Sequence, residues 1–321
     1  MTRSMEERSL ADRVKRRREV ENHFARTRRT YRKSRLELWC DRHVVPPLLK
    51  MGLQATGMYV RGVNNALHPV VRTLCFDFDN LPPALDGFQI LHLSDFHIDG
   101  NSALADRLIS AISGLSPDLC VLTGDYRFET RGPSHGVYPP MRSILSSISS
   151  KHGIFGILGN HDTAEIAFAL EEMEVRMLVN EAVPIGNGST SLWLGGVDDP
   201  FDYRCDDLAD ALSAVPPEAF KILLAHTPDL YKDAADRAVD LYLCGHTHAG
   251  QIRFPLIGPL RHNSKTPRIY AYGHWTRKQM HGYTTSGVGC SGLSVRFNCS
   301  PEAALIELRK TKLPLDLDRI P

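Results

Sequence analysis

The chain has 321 residues, 42% of them hydrophobic and 23% charged, a composition that excludes a disordered or fibrous protein. The formal net charge of +1 conceals an asymmetry, because residues 1–50 contain 15 Lys or Arg and 7 Asp or Glu, a net of +8, whereas the other residues carry −7. Seven cysteines without a CxxC pair, an N-terminus without an apolar core and no run of ~18–20 apolar residues argue against a disulfide framework, a signal peptide and a spanning helix, so we expect a cytoplasmic protein.

Residues 1–42 are predicted to form one long basic helix, because they contain no Gly or Pro and are rich in Arg, Glu and Leu. One arc of about 120° collects the apolar side chains of this helix, which are Leu10, Val14, Val20, Phe24 and Tyr31. Pro46 and Pro47 end the pattern, and residues 48–68 are predicted to form a second helical piece against the body. We therefore assign residues 1–66 to a basic helical extension and residues 67–312 to the main domain.

From residue 70 onward, short apolar strands alternate with amphipathic helices, which predicts an α/β fold with helices covering the sheets. The predicted strands are residues 70–78, 88–93, 119–123, 153–158, 192–196, 221–225, 239–244, 282–288 and 303–308. The predicted helices between them are residues 102–113, 140–149, 164–173, 207–214 and 229–235.

Five of the predicted strands are each followed directly by side chains that can bind metal ions. The segments are Ser94-Asp95-Phe96-His97, Gly124-Asp125, Gly159-Asn160-His161-Asp162, His226-Thr227-Pro228 and Gly245-His246-Thr247-His248. In an open α/β sheet, ligands bind at the carboxyl ends of the strands, so the five segments are expected to converge on one rim. The glycines let the backbone turn sharply beside the metal-binding residues.

The types and number of these side chains predict two metal ions. Carboxylate, amide and imidazole groups suit Mn, Fe, Zn or Co, and no thiolate takes part. Two ions that share one bridging carboxylate can be held by seven residues, and the sequence offers Asp95, His97, Asp125, Asn160, His226, His246 and His248. Sites of this kind clamp phosphoryl oxygens and supply hydroxide at neutral pH.

Each motif alone has a simpler explanation. Asp-x-His is a weak pattern, Gly and Asn are common in turns, and a solitary buried histidine is usually a structural group. All five segments in this order, each at the end of a predicted strand, are hard to explain as turn chemistry.

In this order the motifs resemble the series of the calcineurin-like metallophosphoesterase superfamily, which is D-x-H, G-D, G-N-H-D/E, H and G-H-x-H. The resemblance spans residues 87–255, and the runs LHLSDFHID, GHTHAGQIRFP and GVGCSGLSVRFNCSPEAALIEL are similar to the bacterial YkuE/YaeI-type phosphodiesterase branch. It implies a two-sheet β-sandwich flanked by helices, here preceded by the basic N-terminal extension.

The resemblance also implies roles for the site residues. The first metal ion would be bound by Asp95, His97 and His248. The second would be bound by Asn160, His226 and His246, and Asp125 would bridge the two ions. His161 would contact the phosphate and stabilise charge or protonate the leaving oxygen, and Asp162 would orient His161. Ala249 and Thr163 depart from the residues usual in this branch, which bears on the substrate rather than on the reaction.

The sequence therefore predicts a dinuclear-metal-dependent phosphoesterase that hydrolyses a phosphodiester, pyrophosphate or phosphomonoester by attack of a metal-bridging hydroxide. Two narrower alternatives stay open: a UDP-2,3-diacylglucosamine pyrophosphatase of lipid A synthesis, and a nucleic-acid or nucleotide phosphodiesterase. A non-catalytic binding protein is disfavoured because all seven ligand residues are present. Two hypotheses stay open for the basic helix: peripheral contact with the inner face of an anionic membrane, and docking on the acidic body.

Overall fold

The computed structural model describes residues 8–186, 192–259 and 263–311. The helices are α1 (Leu10–Arg13), α2 (Lys15–Thr27), α3 (Arg35–His43), α4 (Val45–Ala55), α5 (Tyr59–Ala66), α6 (Leu104–Ile112), α7 (Tyr138–Ser146), α8 (Ala164–Glu171), α9 (Leu208–Ala211) and α10 (Tyr231–Asp236). The strands are β1 (Val70–Phe78), β2 (Gln89–Leu93), β3 (Leu119–Leu122), β4 (Ile154–Gly156), β5 (Val175–Met177), β6 (Glu181–Ile185), β7 (Leu192–Gly196), β8 (Lys221–Leu224), β9 (Leu241–Cys244), β10 (Arg253–Phe254), β11 (Gly258–Pro259), β12 (Gly273–Arg277), β13 (Met280–Thr284) and β14 (Glu302–Lys310).

Two six-stranded mixed sheets form the body, which confirms the predicted two-sheet sandwich flanked by helices. The strand order is β1-β14-β2-β3-β4-β5 in the first sheet and β12-β13-β9-β8-β7-β6 in the second. Strands β2 to β5 run parallel, as do β7, β8 and β9. The carboxyl ends of these parallel strands carry the motif residues.

The buried strands are apolar on both faces because each sheet is covered twice. Along β2, Ile90 points into the apolar layer between the two sheets, whereas Leu91 and Leu93 point into the layer under the helices. Helices α6, α7 and α8 supply that outer layer, and α9 and α10 cover the second sheet. Successive side chains on a strand point to opposite faces, so the continuous apolar runs in the sequence follow from this double cover.

Each strand and helix predicted between residues 70 and 308 overlaps an observed one, but the sequence pattern missed several elements. Three of these, β5, β6 and β12, are edge strands, and the other two form the short β10–β11 hairpin. Edge strands need no continuous apolar run, and β6 contains Pro184, which an edge tolerates because one side of the strand has no ladder partner.

The prediction of one long helix over residues 1–42 is wrong within the described residues; residues 1–7 lie outside them. Helix α2 ends at Thr27, and Arg28 has a left-handed backbone with φ of 55°. The next helix begins after Ser34, whose side chain and that of Glu37 cap it reciprocally. The helix is therefore interrupted between α2 and α3.

The pieces of this extension relate differently to the body. Leu10 and Val14 of the α1–α2 segment join the core under the helices, and Val20 and Phe24 pack on Tyr203. Helices α3 and α4 contain no buried residue, contrary to the predicted packing of α4. In α5, Gly62 and Ala66 are buried against the body. The boundary between residues 66 and 67 stays a prediction. Within the described ranges, no helix has both the length and the apolarity needed to cross a bilayer.

Candidate metal centre

Five strand ends from both sheets bring the predicted ligand residues together. Strands β2, β3 and β4 of the first sheet lead into the segments that hold Asp95, His97, Asp125 and Asn160, and β8 and β9 of the second sheet lead into those of the remaining three histidines. All seven predicted ligand residues are buried. The five segments therefore converge on one rim, as expected.

Five of these residues lie in the left-handed region of backbone conformation, which costs energy for residues with a side chain. They are Asp95 (φ 54°), His97 (φ 40°), Asp125 (φ 56°), His246 (φ 69°) and His248 (φ 50°). Such strain persists only where the surrounding structure enforces it and is concentrated at functional sites.

Two glycines allow the closest approach of the segments. A side chain on Gly245 would overlap Ser94 and the Asp95 carboxylate, and one on Gly159 would overlap the Asp125 carboxylate. Gly245 therefore permits the contact between the β2 and β9 segments, and Gly159 permits that between the β3 and β4 segments.

The first group of ligand atoms comes from Asp95, His97 and His248, whose atoms all lie within 4.8 Å of one another. His248 Nε2 is 3.5 Å from Asp95 Oδ1, and the Nε2 atoms of His97 and His248 are 3.2 Å apart.

The second group comes from Asp125, His226 and His246 in the same way, with Asn160 beside it. His226 Nε2 lies 3.0 Å from Asn160 Oδ1 and 3.2 Å from His246 Nδ1. Asp125 Oδ2 stands between the two groups, 3.3 Å from His226 Nε2 and 3.6 Å from His97 Nε2.

Backbone carbonyls fix which ring nitrogens face the centre. A carbonyl oxygen only accepts, so His97 Nδ1 donates to Arg127 O at 2.8 Å and His226 Nδ1 donates to Thr123 O at 2.7 Å. His246 donates outward in the same manner through Nε2. The opposite ring nitrogens therefore face the carboxylates, an arrangement typical of histidines that bind a metal ion through that nitrogen.

The electrostatics of the cluster favour a cation at its centre. Burial lowers the pKa of His226, but the carboxylates of Asp125 and Asp95 outweigh burial and raise it to about 10. Burial raises the pKa of Asp125, but His226 and other imidazoles outweigh it and hold that pKa well below its usual range. Burial holds the pKa of His246 and His248 well below the usual value, which keeps both rings neutral. The donor set thus fits divalent metal ions bound by nitrogen and oxygen.

His161 lies at the edge of the cluster, with Nε2 3.9 Å from Asp125 Oδ2. The prediction that Asp162 orients His161 differs from the structure, because His161 Nδ1 donates to the carbonyl of Phe128 at 2.6 Å. The Asp162 carboxylate instead accepts from the backbone N–H groups of Asp125, Tyr126 and Gly159 at 2.7–2.9 Å. Asp162 therefore holds the two ligand-bearing segments together, a role that a carboxylate can fill wherever several amides converge.

The sequence reasoning missed Arg17, which lies in the α2 helix. Its guanidinium is fully buried, pairs with Asp198 and donates to the carbonyls of Gly159 and Asp162. These carbonyls flank Asn160 and His161, so a residue of the extension supports the segment that carries them. Nothing in the run Lys-Arg-Arg-Arg distinguishes Arg17 from its exposed neighbours, and only the helical spacing from Leu10 and Val14 hinted at a buried face.

The loop between β7 and α9 was also missed. The Phe201 ring lies 4.2 Å from the His246 ring, and Asn160 Nδ2 donates to Asp202 Oδ2 at 3.3 Å. The Arg32 guanidinium stacks on the Phe201 ring, with its Cζ atom 3.8 Å from the centre of the ring. The loop therefore borders the second group of ligand atoms.

A buried set of Asp, His and Asn residues at the strand ends of a two-sheet sandwich defines a metal-dependent hydrolase. Comparison with known proteins specifies the class further. The family model described as calcineurin-like phosphoesterase matches residues 88–250. The chain belongs to this family and is a metal-dependent phosphoric ester hydrolase, as the motifs predicted.

Two bacterial relatives cover most of the chain. The phosphodiesterase YaeI of Escherichia coli (strain K12) is 31% identical over 249 residues, which is 73% of this chain and 86% of YaeI. The metallophosphoesterase YkuE of Bacillus subtilis (strain 168) is 31% identical over 245 residues, which is 72% of this chain and 82% of YkuE. The predicted resemblance to the YkuE/YaeI branch is thus confirmed.

Proposed function

We propose that the chain hydrolyses a phosphate ester with two divalent metal ions held by the two groups of ligand atoms. The observation that carries this proposal is the position of Asp125 Oδ2, which is 3.3 Å from an imidazole of one group and 3.6 Å from an imidazole of the other. A carboxylate in that place can bridge two cations. When bound, such ions polarise the phosphoryl group and lower the pKa of water so that hydroxide is available at neutral pH.

Asp95, His97 and His248 are the proposed ligands of the first ion. Asn160, His226 and His246 are the proposed ligands of the second. The outward hydrogen bonds of His97 and His226 would keep their rings oriented and their free nitrogens basic.

His161 is the proposed phosphate-contacting residue. Its Nδ1–H is committed to the Phe128 carbonyl, so Nε2 is the atom that faces the centre. A phosphate placed there would add negative charge beside the ring and favour its protonated form. The protonated Nε2 would then donate to a phosphoryl oxygen or to the leaving oxygen.

The surroundings of the site favour a substrate larger than a phosphomonoester. A groove of about 600 Å³ is lined by Ala249, which directly follows His248, and by Arg253, Arg268 and exposed apolar side chains of the β10–β11 hairpin. Guanidinium groups beside apolar surface suit a substrate with a second phosphate and an apolar part. This supports a phosphodiester or pyrophosphate, and it keeps UDP-2,3-diacylglucosamine as an alternative.

A substrate screen tests the reaction class. The full-length protein with Mn²⁺ would be assayed on bis-p-nitrophenyl phosphate, p-nitrophenyl phosphate, UDP-2,3-diacylglucosamine and a single-stranded oligonucleotide. We expect hydrolysis of the first compound to exceed that of the second. A preference for the oligonucleotide would favour the nucleic-acid alternative, and inactivity on all four with Mn²⁺, Zn²⁺ and Co²⁺ would contradict the proposal.

The role of His161 is tested by His161→Ala. Because His161 is proposed to act on the phosphate and not to hold metal, kcat on bis-p-nitrophenyl phosphate should fall ~10²–10⁴-fold while metal content stays unchanged. Asp125→Ala is the matched variant, since the loss of a bridging carboxylate should remove metal. Equal metal loss in both variants would contradict the role proposed for His161.

Membrane contact and a cytoplasmic location stay hypotheses. The apolar arc of the predicted basic helix, however, is not the surface that could contact a membrane. Four residues of the predicted apolar arc, Leu10, Val14, Val20 and Phe24, are buried, and only Tyr31 is substantially exposed. Helices α1 and α2 instead pack on the body, as the competing prediction had it. Any lipid contact of the extension must therefore come from the helices that follow them.

A further inference from the structure

Helices α3 and α4 expose apolar side chains on a scale that is unusual for a protein surface. On α3, Leu36 is 69% exposed and Trp39 is 55% exposed; on α4, Leu48 is 60% exposed and Met51 is 63% exposed. Leu36 and Trp39 are three positions apart, as are Leu48 and Met51, so each pair lies on one face of its helix. Large apolar side chains exposed in such number on neighbouring helices favour an interaction site.

A second exposed apolar group lies on the β10–β11 hairpin, where Phe254, Leu256 and Ile257 are exposed. Residues 291–293 have a contact on the side of each group. Gln251, just before the hairpin, donates from Nε2 to Leu293 O at 2.5 Å and accepts from Ser291 N at 3.0 Å. From the other side, the Pro46 ring at the start of α4 is the nearest neighbour of Gly292, within van der Waals reach of a methyl group placed there.

The charge around these helices is strongly positive. Residues 28–66 contain eight Lys or Arg and two Asp or Glu. Both acids are engaged locally, because Glu37 caps α3 and Asp41 pairs with Lys33 at 2.8 Å. Lys50 and Arg61, by contrast, are exposed next to the apolar side chains. A basic rim around an apolar face is the pattern of a segment that lies in the headgroup region of an anionic bilayer.

We propose that α3, α4, the start of α5 and the β10–β11 hairpin together form a lipid-docking surface, by which the enzyme binds an anionic bilayer. The apolar side chains would enter the boundary between headgroups and acyl chains, while the basic side chains contact lipid phosphates. This inference goes beyond the proposed reaction, since docking requires no hydrolysis.

The lipid-docking surface borders the catalytic cluster. Arg42 of α3 pairs with Glu129 at 3.2 Å, and the preceding residue, Phe128, holds the His161 ring. At the other end, α5 runs from the surface to the buried Ala66, which lines a small cavity together with His97. Docking would thus place the site beside the lipid headgroups, where a phosphate ester carried by a lipid is concentrated.

Vesicle sedimentation with the full-length chain tests the surface. The variant is Leu48→Glu/Leu49→Glu, which places two negative charges on α4 at positions with no buried contact. The matched control is Ser110→Glu/Ser146→Glu, which adds the same charge at exposed positions of α6 and α7, on the helical face of the first sheet. Vesicles contain either phosphatidylcholine alone or phosphatidylcholine with phosphatidylglycerol. Far-ultraviolet circular dichroism reports that each variant is folded, and hydrolysis of bis-p-nitrophenyl phosphate is measured separately.

We expect the native chain and the control to pellet with the phosphatidylglycerol vesicles and to bind pure phosphatidylcholine less. The Leu48→Glu/Leu49→Glu variant should lose ~10-fold or more of its vesicle partition coefficient while its hydrolysis of the soluble substrate is kept. Failure of the native chain to pellet, or equal pelleting of this variant, overturns the proposal. A dimer of the native chain in sedimentation velocity that the variant converts to monomer also overturns it, because a second copy would then cover the surface. Binding is scored without activity, so its failure leaves the proposed reaction untouched.

Discussion

The α1–α2 segment and the α3–α4 segment are consecutive parts of one basic extension, yet they meet the body in opposite ways. In the first, Arg13 and Arg17 are buried and pair with Glu181 and Asp198 of the body. In the second, no side chain is buried, and the ion pair of Arg42 with Glu129 is about half exposed on both sides. The same residue type therefore supports the catalytic segment in one part and faces outward in the other.

This difference changes the meaning of the +8 charge of residues 1–50. Part of it is internal, because the buried guanidinium groups of Arg13 and Arg17 pair with carboxylates and donate to backbone carbonyls. Such groups are not available to a membrane or a nucleic acid. The uncompensated charge next to exposed apolar surface lies after residue 27, because residues 28–50 contain seven Lys or Arg and two Asp or Glu.

The largest expected effect is that of Arg17→Ala. The substitution leaves the buried Asp198 carboxylate without its partner and two carbonyls beside Asn160 without a donor, so it should destabilise the protein by ~3–5 kcal/mol. The free energy of unfolding in urea measures this. Lys15→Ala, an exposed position on the same helix, is the control and should change stability by less than ~0.5 kcal/mol. Similar values for both variants would remove the distinction between buried and exposed charges in α2.

A smaller effect is expected when one aromatic residue of each segment is replaced by alanine, which compares the two segments directly. Phe24 packs on Tyr203 and Tyr31, whereas Trp39 is 55% exposed. Phe24→Ala should cost ~3 kcal/mol of unfolding free energy through lost burial. Trp39→Ala should cost less than ~0.5 kcal/mol, because it removes no buried contact. A larger loss for Trp39→Ala than for Phe24→Ala would mean that α3 docks more firmly than α2.

The smallest expected effect is that of Arg42→Ala, which removes the surface ion pair between α3 and Glu129. Exposed pairs of this kind contribute less than ~1 kcal/mol. Thermal and urea unfolding should therefore be almost unchanged, and kcat on bis-p-nitrophenyl phosphate should stay within about twofold of the native value. A large loss of kcat would show that α3 positions the Phe128–His161 contact more tightly than a surface pair can.

The arrangement of the site could be predicted from the sequence because its signals are local. Asp95, Asp125 and His246 each directly follow an apolar strand, and the parallel order of these strands brings their ends to one edge. The orientation of His161 could not be predicted in this way. Its partner is a carbonyl, that of Phe128, and every residue has a carbonyl, so the choice between it and Asp162 depends on the loop geometry.

The extension was harder to predict because its break coincides with a long-range contact. The pattern Ser34-x-x-Glu37 is a recognisable helix start, and it marks α3 correctly. Nothing in the preceding residues prevents a helix, however. Thr30 Oγ1 donates to Asp202, which is 172 positions away, and this contact lies within the interruption between α2 and α3. The helix propensity of a basic run without glycine cannot reveal such a contact.

Metal analysis of the full-length protein tests the central claim most directly. The native chain, loaded with Mn²⁺ or Zn²⁺ and freed of excess ion, should retain about two ions per chain, because its ligand atoms form two groups around one shared carboxylate. Asp125→Ala should retain far less, whereas His161→Ala should equal the native chain. A folded native protein that retains almost no metal, or an Asp125→Ala variant that keeps both ions, would contradict the two-metal centre.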